Sequence, residues 1–132
     1  MKKGYQALLD EAGAQITTYS VEQVWARLAD PKVQLIDLRE VRELEREGVI
    51  PGAFHAPRGM LEFWVDPDSP YFKPVFGAPK EFIFFCAAGW RSALATKAVQ
   101  DMGLTPVADI AGGFAAWKAA GAPVAAKPVK PA

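Results

Sequence analysis

The chain of 132 residues carries one thiol, Cys86, and one imidazole, His55. Cys86 is followed by Ala87, Ala88, Gly89, Trp90, Arg91 and Ser92. The run before it, Glu81 to Phe85, is too apolar to be anything but a buried strand. From Arg91 or Ser92 onward Leu94, Ala95, Ala98, Val99 and Met102 fall at helical spacing. The thiol therefore sits where a strand turns into a helix, and there the first amides of the helix lack intrahelical partners. Ala87, Ala88 and Gly89 are small enough to let the backbone curl with those donors pointing inward. The helix dipole and the Arg91 guanidinium add positive potential. Such a setting lowers a cysteine pKa from about 8.5 to roughly 3.5–7.5. The expected chemistry is nucleophilic attack by a thiolate at the base of an anion-binding loop. A lone cysteine is more often a small buried hydrophobe, but the glycine, the arginine and the helix start favour the nucleophile.

Other residues would have to surround that loop. Asp37 and Arg39 end a neighbouring strand and are read first as an ion pair or capping network, then as substrate contacts. Arg58, after Pro57, is either extra positive charge at the pocket mouth or a solvated side chain. Trp90 is too large to help the loop curl, so it either walls the pocket or packs over the aromatics of residues 59–80. His55 reads as a strand-end histidine satisfied by a hydrogen bond, not as a base. Trp25 and Trp117 read as core.

The elements that must hold these residues follow from pattern. Residues 3–13 form a short helix and residues 16–19 a short strand. Ser20 and Gln23 fit a capping box, opening a helix that buries Val21, Val24, Trp25 and Leu28 and ends at Pro31. Val33 to Leu38 is an apolar strand of the kind parallel sheets bury on both faces. A charged helix over 40–47 stops at Gly48 in the left-handed position, and 53–56 is a short strand. Residues 59–80, with Pro67, Pro70, Pro74 and Pro79 and the aromatics Phe63, Trp64, Tyr71 and Phe72, form an irregular excursion that still packs. Pro106 to Ile110 is a last strand, and Gly112-Gly113 opens a helix with Phe114 and Trp117 on one face. Strands alternating with helices predict a parallel α/β sheet with right-handed crossovers. The predicted organisation is an N-terminal helical extension (1–15), one domain (16–124) and a disordered tail (125–132).

Composition narrows the function. Formal net charge is zero, so nothing drives general binding to nucleic acid or to an anionic membrane. One cysteine makes no intramolecular disulfide, and with one histidine there is no three- or four-ligand zinc site. Asp10 and Glu11 interrupt the apolar core a secretory signal would need, and no apolar run reaches the roughly 18 residues of a membrane span. A soluble, reducing, cytoplasmic setting is the expectation.

With these residues in view the chain resembles the rhodanese-like sulfurtransferases. Cys86 to Ser92 looks like their active-site loop, with four residues between cysteine and arginine. Asp37-Leu38-Arg39 is similar to the family's Asp-x-Arg strand end. Gly48 to Pro57 resembles its Gly-His-Ile-Pro-Gly-Ala segment, and Gly112 to Trp117 its Gly-Gly-x-x-x-Trp helix start. The four motifs run in the family's order over residues 18–124. Val41 stands where many members have proline and Val49 where many have histidine, and 59–80 is longer than in the minimal single-domain form.

The resemblance implies a central five-stranded parallel sheet with helices on both faces. It also implies a ping-pong transfer of sulfane sulfur through a Cys86 persulfide, with Ala87 to Ser92 holding the persulfide and no metal or organic cofactor. The implied partners are a small sulfur donor such as thiosulfate and a cyanide or thiol acceptor, a protein thiol included; nucleic acid and membrane are not. Two alternatives stand beside it. The related cell-cycle phosphatase and arsenate reductase group uses the same strand, loop and arginine but places five residues between cysteine and arginine. A non-catalytic protein-binding module of the same fold is the other.

Overall fold

Five parallel strands in the order β1-β5-β4-β2-β3 form the centre of the computed structural model, which describes residues 1–129. The strands are β1 (Thr17–Tyr19), β2 (Val33–Asp37), β3 (Phe54–His55), β4 (Glu81–Phe85) and β5 (Val107–Ile110). The helices are α1 (Tyr5–Gln15), α2 (Val21–Trp25), α3 (Val41–Glu47), α4 (Leu61–Val65), α5 (Trp90–Asp101) and α6 (Gly113–Ala119). β4 lies between β5 and β2, so its carboxyl end opens at the middle of the sheet, where ligand crevices of open α/β sheets form.

The two-residue period of a strand divides β4 between two cores. Phe82 and Phe84 face Leu61, Val65, Phe76, Ala95 and Val99 on one side. Ile83 and Phe85 face Val21, Val24, Phe114 and Trp117 on the other. Cys86 continues the parity of Phe82 and Phe84 and so points toward α5. Both faces of the sheet are covered, which is why β4 reads as an unbroken apolar run.

Several expectations meet the structure directly. The capping box at Ser20 and Gln23 is formed in both directions. The excursion 59–80 packs through Phe76, Leu61 and Val65, with Trp64 and Phe72 partly buried against them, while Phe63 and Tyr71 face outward. α4 and two short 3₁₀ turns give it more regular backbone than its four prolines suggest.

Other details differ. Trp25 is not core: it is 42% exposed, while Val21 and Val24 are buried and Leu28 packs against their cluster. Trp117 is fully buried and donates from its indole nitrogen to the Pro123 carbonyl at 2.8 Å. Gly48 takes φ +89° with an extended ψ of −175°, so it redirects the chain and does not close a left-handed cap. Its neighbour Val49 exchanges two backbone hydrogen bonds with Ala125 at 2.8 and 2.9 Å. Hydrogen-bonded backbone thus reaches Ala125, the first residue of the predicted tail, of which 130–132 lie outside the described residues. α1 packs on α5, where Gln100 donates to the Gln15 carbonyl at 2.9 Å and Ala12 is fully buried. No helix among the described residues is long and apolar enough to cross a membrane.

Candidate active site

The loop after β4 closes around the Cys86 sulfur. Gly89 turns it with φ +110°, a conformation that a side chain would strain even though no foreign atom lies within 3.8 Å of where its Cβ would be. The turn brings the Gly89 N–H to 3.1 Å from Cys86 Sγ and the Ser92 N–H to 3.4 Å. The two amides lie at the N-cap and in the first turn of α5, where backbone donors lack intrahelical partners. Cys86 itself is 1% exposed and has no disulfide partner. Two amides and a helix start thus converge on one sulfur.

The carbonyls of this loop are held elsewhere. Phe114 N–H donates to the Cys86 carbonyl at 2.8 Å and Ala115 N–H to the Ala87 carbonyl at 3.0 Å. Both donors open α6, immediately after Gly112 and Gly113, which take φ +72° and +60°. The Gly-Gly start of α6 therefore draws the carbonyl oxygens of residues 86 and 87 toward α6, while the amides of Gly89 and Ser92 face the sulfur.

Arg91 is less free than the sequence suggests. Its Nη1 and Nη2 each donate to Glu43 on α3 at 2.8 Å, a bidentate pair. Glu43 also caps α3 by accepting from Glu40 N–H at 2.7 Å. The guanidinium hydrogen bond, with the Glu40 amide and the Arg91 charge behind it, holds Glu43 down from its ordinary 4.5 to about 2, against a smaller opposing push from burial. Arg91 is raised in turn, first by Glu43 and to a lesser degree by the Cys86 charge. The loop thus keeps its amides and helix terminus as donors, while the arginine's charge is largely balanced.

This pair has a pH signature. A carboxylate depressed in the folded state contributes stability above its unfolded range, and that contribution is lost as pH falls through the folded value. Glu43→Gln retains a capping side chain but not the charge. Its thermal midpoint should be lower than wild type at neutral pH and should fall less steeply between about pH 4.5 and 2. Parallel melting curves for the two proteins across that window would show that the pair carries no linkage.

Asp37 and Arg39 form a buried ion pair, 2% and 1% exposed. Arg39 Nη2 donates to Asp37 Oδ2 at 2.7 Å and to the Gly48 carbonyl at 2.9 Å, and the guanidinium lies 4.0 Å from the centre of the Phe114 ring. It ties the end of β2 to the end of α3 and to α6. Beside it a cleft of about 480 Å³ is lined by Arg39, Glu43, Ala87, Phe114 and Lys118, among others. Arg58 does not line that cleft; its Nη1 donates to Glu62 at 2.7 Å. His55 Nε2 is 2.6 Å from the Arg39 carbonyl, which can only accept, so this nitrogen carries a proton.

Trp90 is 61% exposed and stacks on Tyr5 of α1 with ring centres 5.1 Å apart. It walls a second, shallower crevice with Gly89, Ala88 and Asp109, and does not pack over the aromatics of 59–80.

Two participants were not anticipated from sequence. Glu43 sat within a helix read only as charged. Asp109 lies inside the strand Val107–Ile110, where an acid in a buried strand is itself a signal. Asp109 is 4% exposed, accepts from Thr18 Oγ1 at 2.7 Å, and lies 3.2 Å from Ser92 Oγ.

Comparison with known proteins places this geometry among relatives. The family model of the rhodanese-like domain matches residues 20–120, most of the chain. The chain is 34% identical over 90 residues to "Putative sulfurtransferase YtwF" of Bacillus subtilis, covering 68% of this chain and 78% of that protein. Among solved structures, a Rhodopseudomonas palustris protein of unknown function described as "Possible Tyrosine Phosphatase" is 51% identical with a TM-score of 0.93, over 95% of this chain and 96% of that one. The human single-domain sulfurtransferase TSTD1 is 30% identical with a TM-score of 0.65, over 77% of this chain and 95% of that one.

Proposed function

Because the chain belongs to the rhodanese-like domain family, we propose that it is a sulfurtransferase whose nucleophile is Cys86. The thiolate attacks the outer sulfur of a sulfane donor such as thiosulfate. The donor's S–S bond breaks, its electron pair leaves with sulfite, and the transferred sulfur remains on Cys86 as a persulfide. A thiophilic acceptor, cyanide or a thiol, then takes the outer sulfur and regenerates the thiolate. Splitting the transfer in two replaces one difficult step by two easier ones. The observation that carries this reading is the pair of amides, Gly89 and Ser92, directed at one sulfur atom. Donors fixed in advance around a site of negative charge stabilise it without reorganisation. Ala87, Ala88, Trp90 and Arg91 complete the loop, and Asp37 and Arg39 support it from beneath. A reducing compartment such as the cytoplasm keeps the thiol available, and a protein thiol acceptor would meet Trp90 at the loop's outer edge.

The description of the Rhodopseudomonas palustris structure favours a second reading, a phosphatase. Two features weigh against it. The loop holds four residues between Cys86 and Arg91, one fewer than phosphatase loops. Both terminal nitrogens of Arg91 are also already bonded to Glu43, whereas a phosphate needs that fork free. One pair of assays decides between them. Thiosulfate without acceptor should leave the intact protein heavier by one sulfur atom, and cyanide should restore the original mass and yield thiocyanate. Turnover of an aryl phosphate should be negligible. Efficient phosphate release with no sulfur adduct would reverse the assignment.

A further inference from the structure

We propose that Asp109 acts through the Ser92 hydroxyl as a positioning residue that holds the proton Cys86 gives up on becoming a thiolate. This rests on the sulfur-transfer reading of the same site. Ser92 Oγ stands between the two groups, 3.6 Å from Cys86 Sγ and 3.2 Å from Asp109 Oδ2. All three side chains are buried, at 1%, 0% and 4% exposure, so bulk water does not mediate the contact. A hydroxyl has one proton to donate and lone pairs to accept with, which is what a relay between a thiol and a carboxylate requires; the Gly89 carbonyl, also 3.2 Å from Ser92 Oγ, is the alternative acceptor when the proton is not directed at Asp109. Thr18 Oγ1 donates to the far oxygen, Asp109 Oδ1, at 2.7 Å and leaves Oδ2 facing Ser92.

The charged surroundings isolate this trio. β1 presents Thr18 to Asp109, and β4 leads into Cys86. α5 presents Ser92, together with Arg91, which is paired with Glu43 of α3. Across the shallow crevice α1 presents Asp10, which accepts from Gln6 at 3.1 Å. Among the described residues no lysine or arginine forms an ion pair with Asp109. A carboxylate buried with no cation is costly. Burial accordingly pushes its proton affinity up, against the Thr18 and Ser92 hydrogen bonds that pull it down.

The transfer is balanced without a co-reactant. The Sγ–H bond breaks as an O–H bond forms on Ser92 Oγ, while the original Ser92 proton passes to Asp109 Oδ2. Two protons each move one place, and the single negative charge passes from carboxylate to sulfur, where the Gly89 and Ser92 amides receive it. The proton stays on Asp109 while the thiolate attacks the donor, while the persulfide is held and while the acceptor takes its sulfur. No second anion then stands beside the reacting sulfur, where like charges would each disfavour the other.

Two groups sharing one charge titrate as a pair, with the thiolate partly formed after the first proton is lost and wholly formed after the second. The test is the rate of Cys86 alkylation by iodoacetamide against pH, on the full chain. Wild type should rise in two steps separated by a plateau. Asp109→Asn should rise in one step, with its midpoint below the upper step of wild type because the neighbouring charge is gone. Thr18→Val removes a hydrogen bond to ionised Asp109, shifts the shared proton toward the carboxyl, and should raise the plateau by roughly three- to tenfold. A single-step wild-type profile, or one superimposable on that of Asp109→Asn, overturns the proposal. If Asp109→Asn fails to fold by circular dichroism, an unchanged plateau in Thr18→Val overturns it instead. Sulfur loading by thiosulfate is read separately by mass. Normal loading with a one-step profile rejects the relay alone, and a two-step profile without loading rejects the sulfur-transfer reading alone.

Discussion

Cys86→Ser should lower thiosulfate-to-cyanide sulfur transfer by at least about 10⁴-fold, the scale on which loss of a covalent nucleophile is felt, and leave the fold intact. The serine hydroxyl is smaller than the thiol and could still meet the Gly89 and Ser92 amides as an acceptor, so the loop has no cause to open. It would remain protonated where a thiol ionises, and oxygen attacks sulfane sulfur poorly. Thiocyanate and sulfite production read the activity, and near-ultraviolet circular dichroism reads the packing of Phe84, Phe85 and Trp117 around the site. A correctly packed variant that transfers sulfur at near wild-type rate would mean that Cys86 forms no covalent intermediate.

The second large effect comes from a residue with no chemistry of its own. A Cβ on Gly113 would lie 2.5 Å from the Cys86 carbonyl oxygen and 2.9 Å from that of Ala87. Backbone cannot rotate away as a side chain can, so the loop or α6 must shift. Gly113 also has φ +60°, which costs an L-residue roughly 1–2 kcal/mol, and overpacking adds about 1–3 kcal/mol. Gly113→Ala should therefore lower the thermal midpoint by roughly 10–20 °C and depress sulfur loading even at temperatures where the variant is folded. Gly121→Ala supplies the control. Its φ is +76° but nothing lies within 4 Å of its Cβ position, so it should show the conformational cost alone and retain loading. Equal loading in both variants would show that the close approach of α6 does not position the nucleophile.

How far the sequence disclosed this arrangement depends on the range of the interaction. β4 and the start of α5 were legible because a buried strand and a helix leave periodic traces, and Gly89 punctuates them. The Ser20–Gln23 cap was legible because both partners lie within one turn. Trp25 shares the helical spacing of Val21, Val24 and Leu28, but spacing does not show how wide the covered stripe is, and only the other three pack into the core. The Glu43–Arg91 and Asp109–Ser92 contacts leave no local pattern. Their partners stand 48 and 17 residues apart and meet only because β2, β4 and β5 are neighbours with their carboxyl ends at one edge. The four motifs conveyed the family and its sheet, but not which side chains occupy the ends of its hydrogen bonds.

The strand order also has a temporal meaning. During synthesis Cys86 leaves the ribosome well before Phe114 and Ala115, whose amides hold the carbonyls of residues 86 and 87. β1, among the first segments made, pairs among the described residues with β5 alone, the last strand there. A nascent chain that ends before α6 thus has the thiol but neither the turned-out carbonyls nor, until β5 is complete, a closed sheet beside it. Domains tend to fold as units once their sequence is available. In this topology the closing segment holds the carbonyls of residues 86 and 87, so a chain terminated before α6 lacks the contacts that shape the loop around Cys86.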